Sequence, residues 1–199
     1  MPRSPGKAVS ASLRCAWAGT KPHMIDYHDH EWGRPVHQDC KHFEMLLLEG
    51  AQAGLSWETV LLKREHYRKA FSNFDPKEVA KFTAVTRTKL LGDAGLIRNR
   101  LKIEAAVTNA QAFLALQQEF GSFDDYVWRF VGGRPKVNQW ATMKQIPTTT
   151  PESDALSQDL KRRGFRFVGS TIVYAYMQAV GLVNDHMKRC FLSGRSFDE

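Results

Sequence analysis

The sequence predicts an all-α protein. Apolar residues recur at three- and four-residue spacing along most of the chain, and helix-start chemistry precedes several of these runs. Sustained period-two alternation is nearly absent, and no Asn-Gly or Asp-Gly hairpin turn occurs. The first periodic run carries Phe43, Leu46, Leu47 and Gly50. Ser56-Trp57-Glu58 opens the next, with Val60, Leu61, Arg64, Tyr67 and Arg68 on a mixed face. Asp75-Pro76-Lys77-Glu78 combines a capping Asp, a first-turn Pro and a reciprocal Glu. A long helix follows over 99–119 through Ile103, Ala106, Val107 and Ala110 to Leu114. Ser122 with Asp125, and Thr150-Pro151-Glu152, mark further starts, and a last pair spans 152–163 and 169–182. The total is roughly eight or nine helices. Val131–Pro151 holds much of the Gly, Pro and Thr, which predicts a long structured loop between an earlier and a later helical lobe.

At 199 residues, 43% hydrophobic and 25% charged, the chain has the size and composition of one globular domain, which excludes wholesale disorder. The best membrane candidate, Thr171–Val183, is too short and contains Gln178 and Gly181. A net charge of +7 favours polyanionic partners such as nucleic acid or anionic lipid. Three cysteines, Cys15, Cys40 and Cys190, argue against a secreted disulfide scaffold and for a reducing cytoplasm. Residues 1–13 read as a flexible tail without a secretory core, 14–191 as the domain, and 192–199 as a C-terminal tail. A monomer is the default expectation.

Three constellations can carry chemistry. Cys15 and His28 near one end, with His186 and Cys190 at i and i+4 near the other, form a Cys₂His₂ set able to close around zinc. The irregular spacing by itself fits better a free buried thiol with scattered surface imidazoles. Glu49 follows Leu46-Leu47-Leu48 and runs into Gly54-Leu55-Ser56-Trp57, so a carboxylate sits in an apolar helix. With Trp17, Tyr27, Trp32 and Trp57 in the same half, it suits a flat cationic ring; a boundary Glu paired to Arg or Lys is the alternative. Third, Leu160-Lys161-Arg162-Arg163-Gly164-Phe165-Arg166 leads to Gly169-Ser170-Thr171 at a helix start. That pattern fits a helix-hairpin-helix gripping phosphates through backbone N–H groups, with Lys161, Arg163 and Arg166 adding charge. It equally fits a basic turn on a solvated face.

Long strings along the chain resemble the bacterial 3-methyladenine DNA glycosylase I family. They are Arg14-Cys-Ala-Trp17, Tyr27-His-Asp-His-Glu-Trp-Gly33, Phe43-Glu-Met to Leu55-Ser-Trp57, and Asp93-Ala-Gly-Leu-Ile-Arg-Asn-Arg100. The C-terminal match runs from Arg163-Gly-Phe-Arg-Phe-Val-Gly169 to Gly181-Leu-Val-Asn-Asp-His186. The resemblance implies a helix-hairpin-helix glycosylase fold and hydrolysis of the N-glycosidic bond of 3-methyladenine in alkylated duplex DNA. It also implies a structural zinc held by Cys15, His28, His186 and Cys190. It implies that Glu49 and Tyr27 hydrogen-bond the base, Trp57 stacks on it and Trp17 and Trp32 wall it. Leu55, beside Gly54, is the candidate to fill the gap left in the duplex. Asn184 stands where the wider superfamily places a catalytic Asp, and Ser170-Thr171 where bifunctional members carry a Schiff-base Lys, so no lyase activity is expected. Met24 and Leu101 replace Tyr and Gly of some relatives. The rival reading is a zinc-clipped helical module that binds DNA or RNA without catalysis.

Overall fold

Nine α-helices, four short 3₁₀ turns and one two-residue ladder make up the described part of the chain. The structure is a computed structural model, and it describes residues 13–195. The expected N-terminal tail, apart from Leu13, and residues 196–199 lie outside the described residues. Leu192, assigned to the C-terminal tail from sequence, is instead buried in the core, because the chain turns back after Cys190. Among the described residues no helix is long and apolar enough to cross a membrane.

The helices are α1 (Pro22–His30), α2 (Asp39–Gln52), α3 (Trp57–Ala70), α4 (Pro76–Val79), α5 (Ala84–Gly92), α6 (Arg100–Phe120), α7 (Phe123–Trp128), α8 (Pro151–Arg162) and α9 (Ser170–Ala179). Side-chain caps set the starts. Ser56, Asp75, Ser122 and Thr150 each accept a backbone N–H of the first turn. The reciprocal partner of Thr150 is Ser153, and Glu78 pairs with Lys81 rather than closing a box.

Helix α2 organises the molecule. Residues 42–51 are buried on all sides, with α3, α6, α7 and α9 packed around them. The mixed face of α3 has a specific cause: Arg64 is buried and donates to Glu44 on α2 (2.6 Å) and to both oxygens of Glu31 (2.8 and 2.9 Å). Helices α8 and α9 form an antiparallel pair. In the turn between them, Asn109 of α6 donates to the carbonyl of Arg166 (3.0 Å) and accepts its N–H (2.8 Å). Ser157 donates to the Val168 carbonyl (2.6 Å), so the hairpin is held from both sides.

The long loop is ordered by two attachments. Lys136 and Val137 (β1) pair in parallel with Val183 and Asn184 (β2), and the indole of Trp140 donates to Asp185 (2.8 Å). One glycine is required by close approach. Gly181 has φ +70°, and a Cβ there would meet Arg34 C at 2.2 Å and Pro35 N at 2.4 Å. Both neighbours are backbone and cannot yield. Gly181→Ala is expected to cost about 2–5 kcal/mol by urea denaturation, from left-handed strain plus overpacking. A midpoint unchanged from the wild type would refute this.

Candidate functional site

A pocket of about 470 Å³ opens between α1, α2, α3, α9 and the long loop. Its floor is apolar and its walls are aromatic. Trp17, Tyr27, Trp32 and Trp57, the residues expected from sequence, all line it together with Glu49. Their rings pack on one another: Trp17 edge-on to Trp32 (4.9 Å between centroids) and to Tyr27 (6.2 Å), and Tyr27 tilted against Trp57 (5.1 Å). Such mutual packing fixes each ring before any ligand arrives.

Two buried polar groups in this pocket stand out as unsatisfied among the described residues, the Glu49 carboxyl and the Trp57 indole N–H. Glu49 is 4% exposed, and its carboxyl has no hydrogen-bond partner among the described residues. Burial pushes it up to about 8. The indole N–H of Trp57 is buried without a partner. Burial, with Glu49 close by, also raises the Tyr27 hydroxyl well above its ordinary range. An unpaired buried carboxyl and an unpaired buried N–H each cost about 1–3 kcal/mol. A ligand presenting N–H groups or positive charge to Glu49, and an acceptor to Trp57, removes both costs. The boundary-glutamate alternative is not met, since no Arg or Lys among the described residues pairs with Glu49.

Several pocket residues escaped the sequence reading. Gln52, Ser56, Met143, Ile146, Ala175 and Gln178 also line it, as does Met24. Ala175 and Gln178 lie one turn apart on α9, so their shared face was readable once α9 was placed. Met143 and Ile146 come from the long loop, whose path depends on the β1–β2 pairing.

Cys15, His28, His186 and Cys190 converge beneath the pocket, all buried, with their ligand atoms within 4.8 Å of one another. Cys190 Sγ lies 3.5 Å from His28 Nε2 and 3.5 Å from His186 Nδ1, and Cys15 Sγ lies 3.7 Å from His186 Nδ1. Sulfur and nitrogen bound tetrahedrally at about 2.3 and 2.0 Å stand about 3.5 Å apart, so the set fits a metal ion. The other ring nitrogens are oriented. His28 Nδ1 donates to Asp29 (2.7 Å), which Arg14 grips through two nitrogens, and His186 Nε2 donates to the Trp32 carbonyl (3.1 Å). Burial pushes the Cys15 thiol up to about 12 and His186 down to about 4; a bound cation would favour the thiolate and the neutral imidazole. Cys40 is exposed and plays no part.

The hairpin residues separate into two groups. Gly54, Leu55 and Thr171 line a shallow groove that shares Glu49, Gln52 and Ala175 with the pocket, and Leu55 is 42% exposed. Gly169 caps α9 without a side-chain bond, leaving first-turn N–H groups outward. Lys161 and Arg166 are exposed, with no ion pair among the described residues. Arg163 is a correction to the sequence expectation. Its guanidinium is held by Glu119 (2.6 Å) and Asp159 (2.6 Å) and lies over Phe120 and Tyr126, so it is not a free cation. The Ser170 hydroxyl is likewise engaged by Asp154 and Ser153, which leaves only its backbone outward.

This helical fold matches solved structures closely. A crystal structure of a 3-methyladenine DNA glycosylase I superposes with a TM-score of 0.89 at 52% identity, covering 91% of this chain and 100% of that one. A Staphylococcus aureus structure, solved to show how 3-methyladenine DNA glycosylase I recognises 3-methyladenine, superposes with a TM-score of 0.89 at 37% identity, covering 92% and 97%. The profile described as methyladenine glycosylase matches residues 17–193, and the chain belongs to that family. It is 53% identical over 177 residues to DNA-3-methyladenine glycosylase 1 of Escherichia coli strain K12, covering 89% of this chain and 95% of the relative.

Proposed function

We propose that the protein is a monofunctional DNA repair glycosylase. It takes a flipped N3-methylated adenine from alkylated duplex DNA into the aromatic pocket and hydrolyses its N-glycosidic bond. The products are 3-methyladenine and an abasic site. The observation that carries this reading is Glu49: a buried carboxyl with no partner among the described residues, inside a ring of packed aromatics. A module that only grips the backbone needs no such pocket.

The chemistry is undemanding at the leaving group. Methylation at N3 gives the attached base a formal positive charge, so it departs without strong acid assistance, and water supplies the nucleophile. Asn184 is buried away from the pocket lining, and its Oδ1 accepts the His186 N–H (3.1 Å), so it is a structural residue. Ser170 and Thr171 offer no amine for a Schiff base. The enzyme's contribution is selection. Flipping costs a few kcal/mol and less for a damaged base. Stacking on Trp57, Tyr27 hydrogen bonding and the Glu49 carboxylate then favour a cationic ring over neutral adenine.

Zinc is the metal the Cys₂His₂ set selects, and four protein ligands leave no position for water. When bound it supplies a structural clip between the chain's two ends. Leu55 fills the vacated stack, while Lys161, Arg166 and the N-terminus of α9 hold phosphates. One chain supplies every part, so the protein acts as a monomer on DNA in the cytoplasm.

Mass spectrometry of bases freed from methylated duplex DNA tests the function. Release of 3-methyladenine supports it, and no release from folded, metal-loaded protein overturns it. Affinity for duplex should also fall with a log–log salt slope near −0.9 per phosphate neutralised. Lys161→Ala and Arg166→Ala should each flatten the slope by about 1, and Arg163→Ala should not. A salt-independent affinity would remove this surface.

A further inference from the structure

Asp185 is fully buried, and four side chains direct N–H or O–H groups at it. Asn138 Nδ2 (2.7 Å) and Trp140 Nε1 (2.8 Å) donate to Oδ1. The Tyr174 hydroxyl and Gln178 Nε2 (2.7 Å) donate to Oδ2. Because this carboxylate only accepts, the orientation of the Gln178 amide is decided. Its NH₂ faces Asp185, and a flipped amide would set oxygen against oxygen. Gln178 lines the pocket, and its remaining polar atom, Oε1, takes no hydrogen bond among the described residues.

We infer that Gln178, oriented by Asp185, is a specificity-determining residue that offers its carbonyl oxygen to the exocyclic amino group of the flipped base. This rests on the base-excision reading above. The reason lies in the donors of the substrate. An N3-methylated adenine still joined to its sugar has N–H bonds at one place only, the amino group on C6, and there are two of them. Of the two amides lining the pocket, Gln52 and Gln178, only Gln178 is held in one orientation among the described residues, so its Oε1 and the Glu49 carboxylate are the two acceptors matched to them. Each takes one hydrogen. An N3-methylated guanine carries a carbonyl at C6 and a single N–H, at N1, on that edge, so O6 is set against Gln178 Oε1 and no pair of hydrogens is left for the two acceptors; its amino group sits beside the methyl at the other edge of the ring. A site built to hydrogen-bond an N–H rejects the analogue lacking it, because the acceptor is left unpaired. The Asp185 cluster thus does more than order the long loop. It fixes which half of one amide the base meets.

Single-turnover release of 3-methyladenine and 3-methylguanine from the same methylated duplex tests this. Gln178→Leu keeps a side chain of similar bulk on a half-buried helix face. It should slow 3-methyladenine release about tenfold or more while leaving 3-methylguanine release equal or faster. The ratio of the two rates therefore falls at least tenfold. Asp185→Asn provides a second route, since an Asn can donate as well as accept and frees the amide to flip. With metal content unchanged, it should move the ratio in the same direction. A Gln178→Leu protein that keeps the wild-type ratio, or slows both bases equally, overturns the inference while leaving the glycosylase reading intact. Wild-type protein that frees neither base overturns both.

Discussion

Glu49→Gln is expected to lose about 10- to 100-fold in release of 3-methyladenine and to gain stability at alkaline pH. The two effects have one cause. Glu49 has no counter-charge among the described residues, and burial raises its carboxyl to about 8 from an ordinary 4.5. Below pH 4.5 the folded and unfolded chains both hold the proton, and the full stability is present. As pH rises toward 8, the unfolded chain ionises in water while the folded chain keeps its proton, so stability falls. The loss is complete above 8. Each unit of raised pKa corresponds to about 1.4 kcal/mol, discounted here because the pocket is open to water, so a loss on the order of 1–3 kcal/mol remains. Gln removes that pH dependence. The variant should therefore unfold at higher temperature than wild type at pH 8–9 and at nearly the same temperature at pH 4–5.

Function runs the other way. A cationic base restores the missing counter-charge, drives Glu49 to ionise and releases its proton. Binding should strengthen from pH 5 to about 8 and then level off. In Glu49→Gln the neutral amide forfeits the charge-assisted hydrogen bond, worth about 1.5–3 kcal/mol, and the pH dependence flattens. Thermal denaturation at pH 5, 7 and 9 beside single-turnover release reads both arms. Equal melting at pH 9, or release at the wild-type rate, would overturn the role of Glu49. A residue that costs stability when the pocket is free and repays it on binding is the signature of a site selected for its ligand.

How much of this was legible in the sequence depends on what fixes each feature. Helix starts are local, and Ser56, Asp75, Ser122 and Thr150 cap in the structure where the sequence places them. The apolar run around Glu49 marked a buried carboxyl for the same reason, since α2 is buried all round. What depends on chain crossings was not local. The four residues that could hold a metal come together because the segment after Leu13 meets the residues after His186, and the Phe191 N–H bonds the Leu13 carbonyl (2.9 Å). The i, i+4 spacing of His186 and Cys190 suggested such a set, but no spacing rule encodes the meeting with Cys15 and His28, and the family resemblance pointed to it more strongly. Arg163 misled because a basic run looks the same whether its charges face phosphates or the Glu119 and Asp159 carboxylates. Asp185 and Gln178 were invisible together, since their bond links β2's end to α9 and gains meaning only beside the pocket.

Loss of the proposed metal should cost the pocket as well as the fold. Trp32 is the hinge of that argument. Its carbonyl accepts from His186 Nε2, and its ring packs edge-on to His186 at 4.8 Å and to Trp17 at 4.9 Å. Trp17 follows Cys15 by two residues and packs on His28 at 5.3 Å. Both indoles wall the pocket, so the ligand set and the base site share side chains. Without a cation the buried Cys15 thiol keeps its proton, and the two sulfurs lose the partner that would join them. Structural zinc contributes folding energy outright, but this fold has its own core, so part of that energy is felt: about 3–5 kcal/mol, or roughly 10 °C in Tm. Cys190→Ser, or chelation during mild warming, should therefore remove one metal ion per chain and lower Tm by about that amount. It should also raise amide exchange at residues 13–18 and 186–192 before the centre of α2 responds. Free 3-methyladenine binding should drop in parallel with Trp17 and Trp32 order, ahead of global unfolding. Metal loss that leaves Tm and base binding unchanged would show the clip to be dispensable and would break the link from chain ends to pocket.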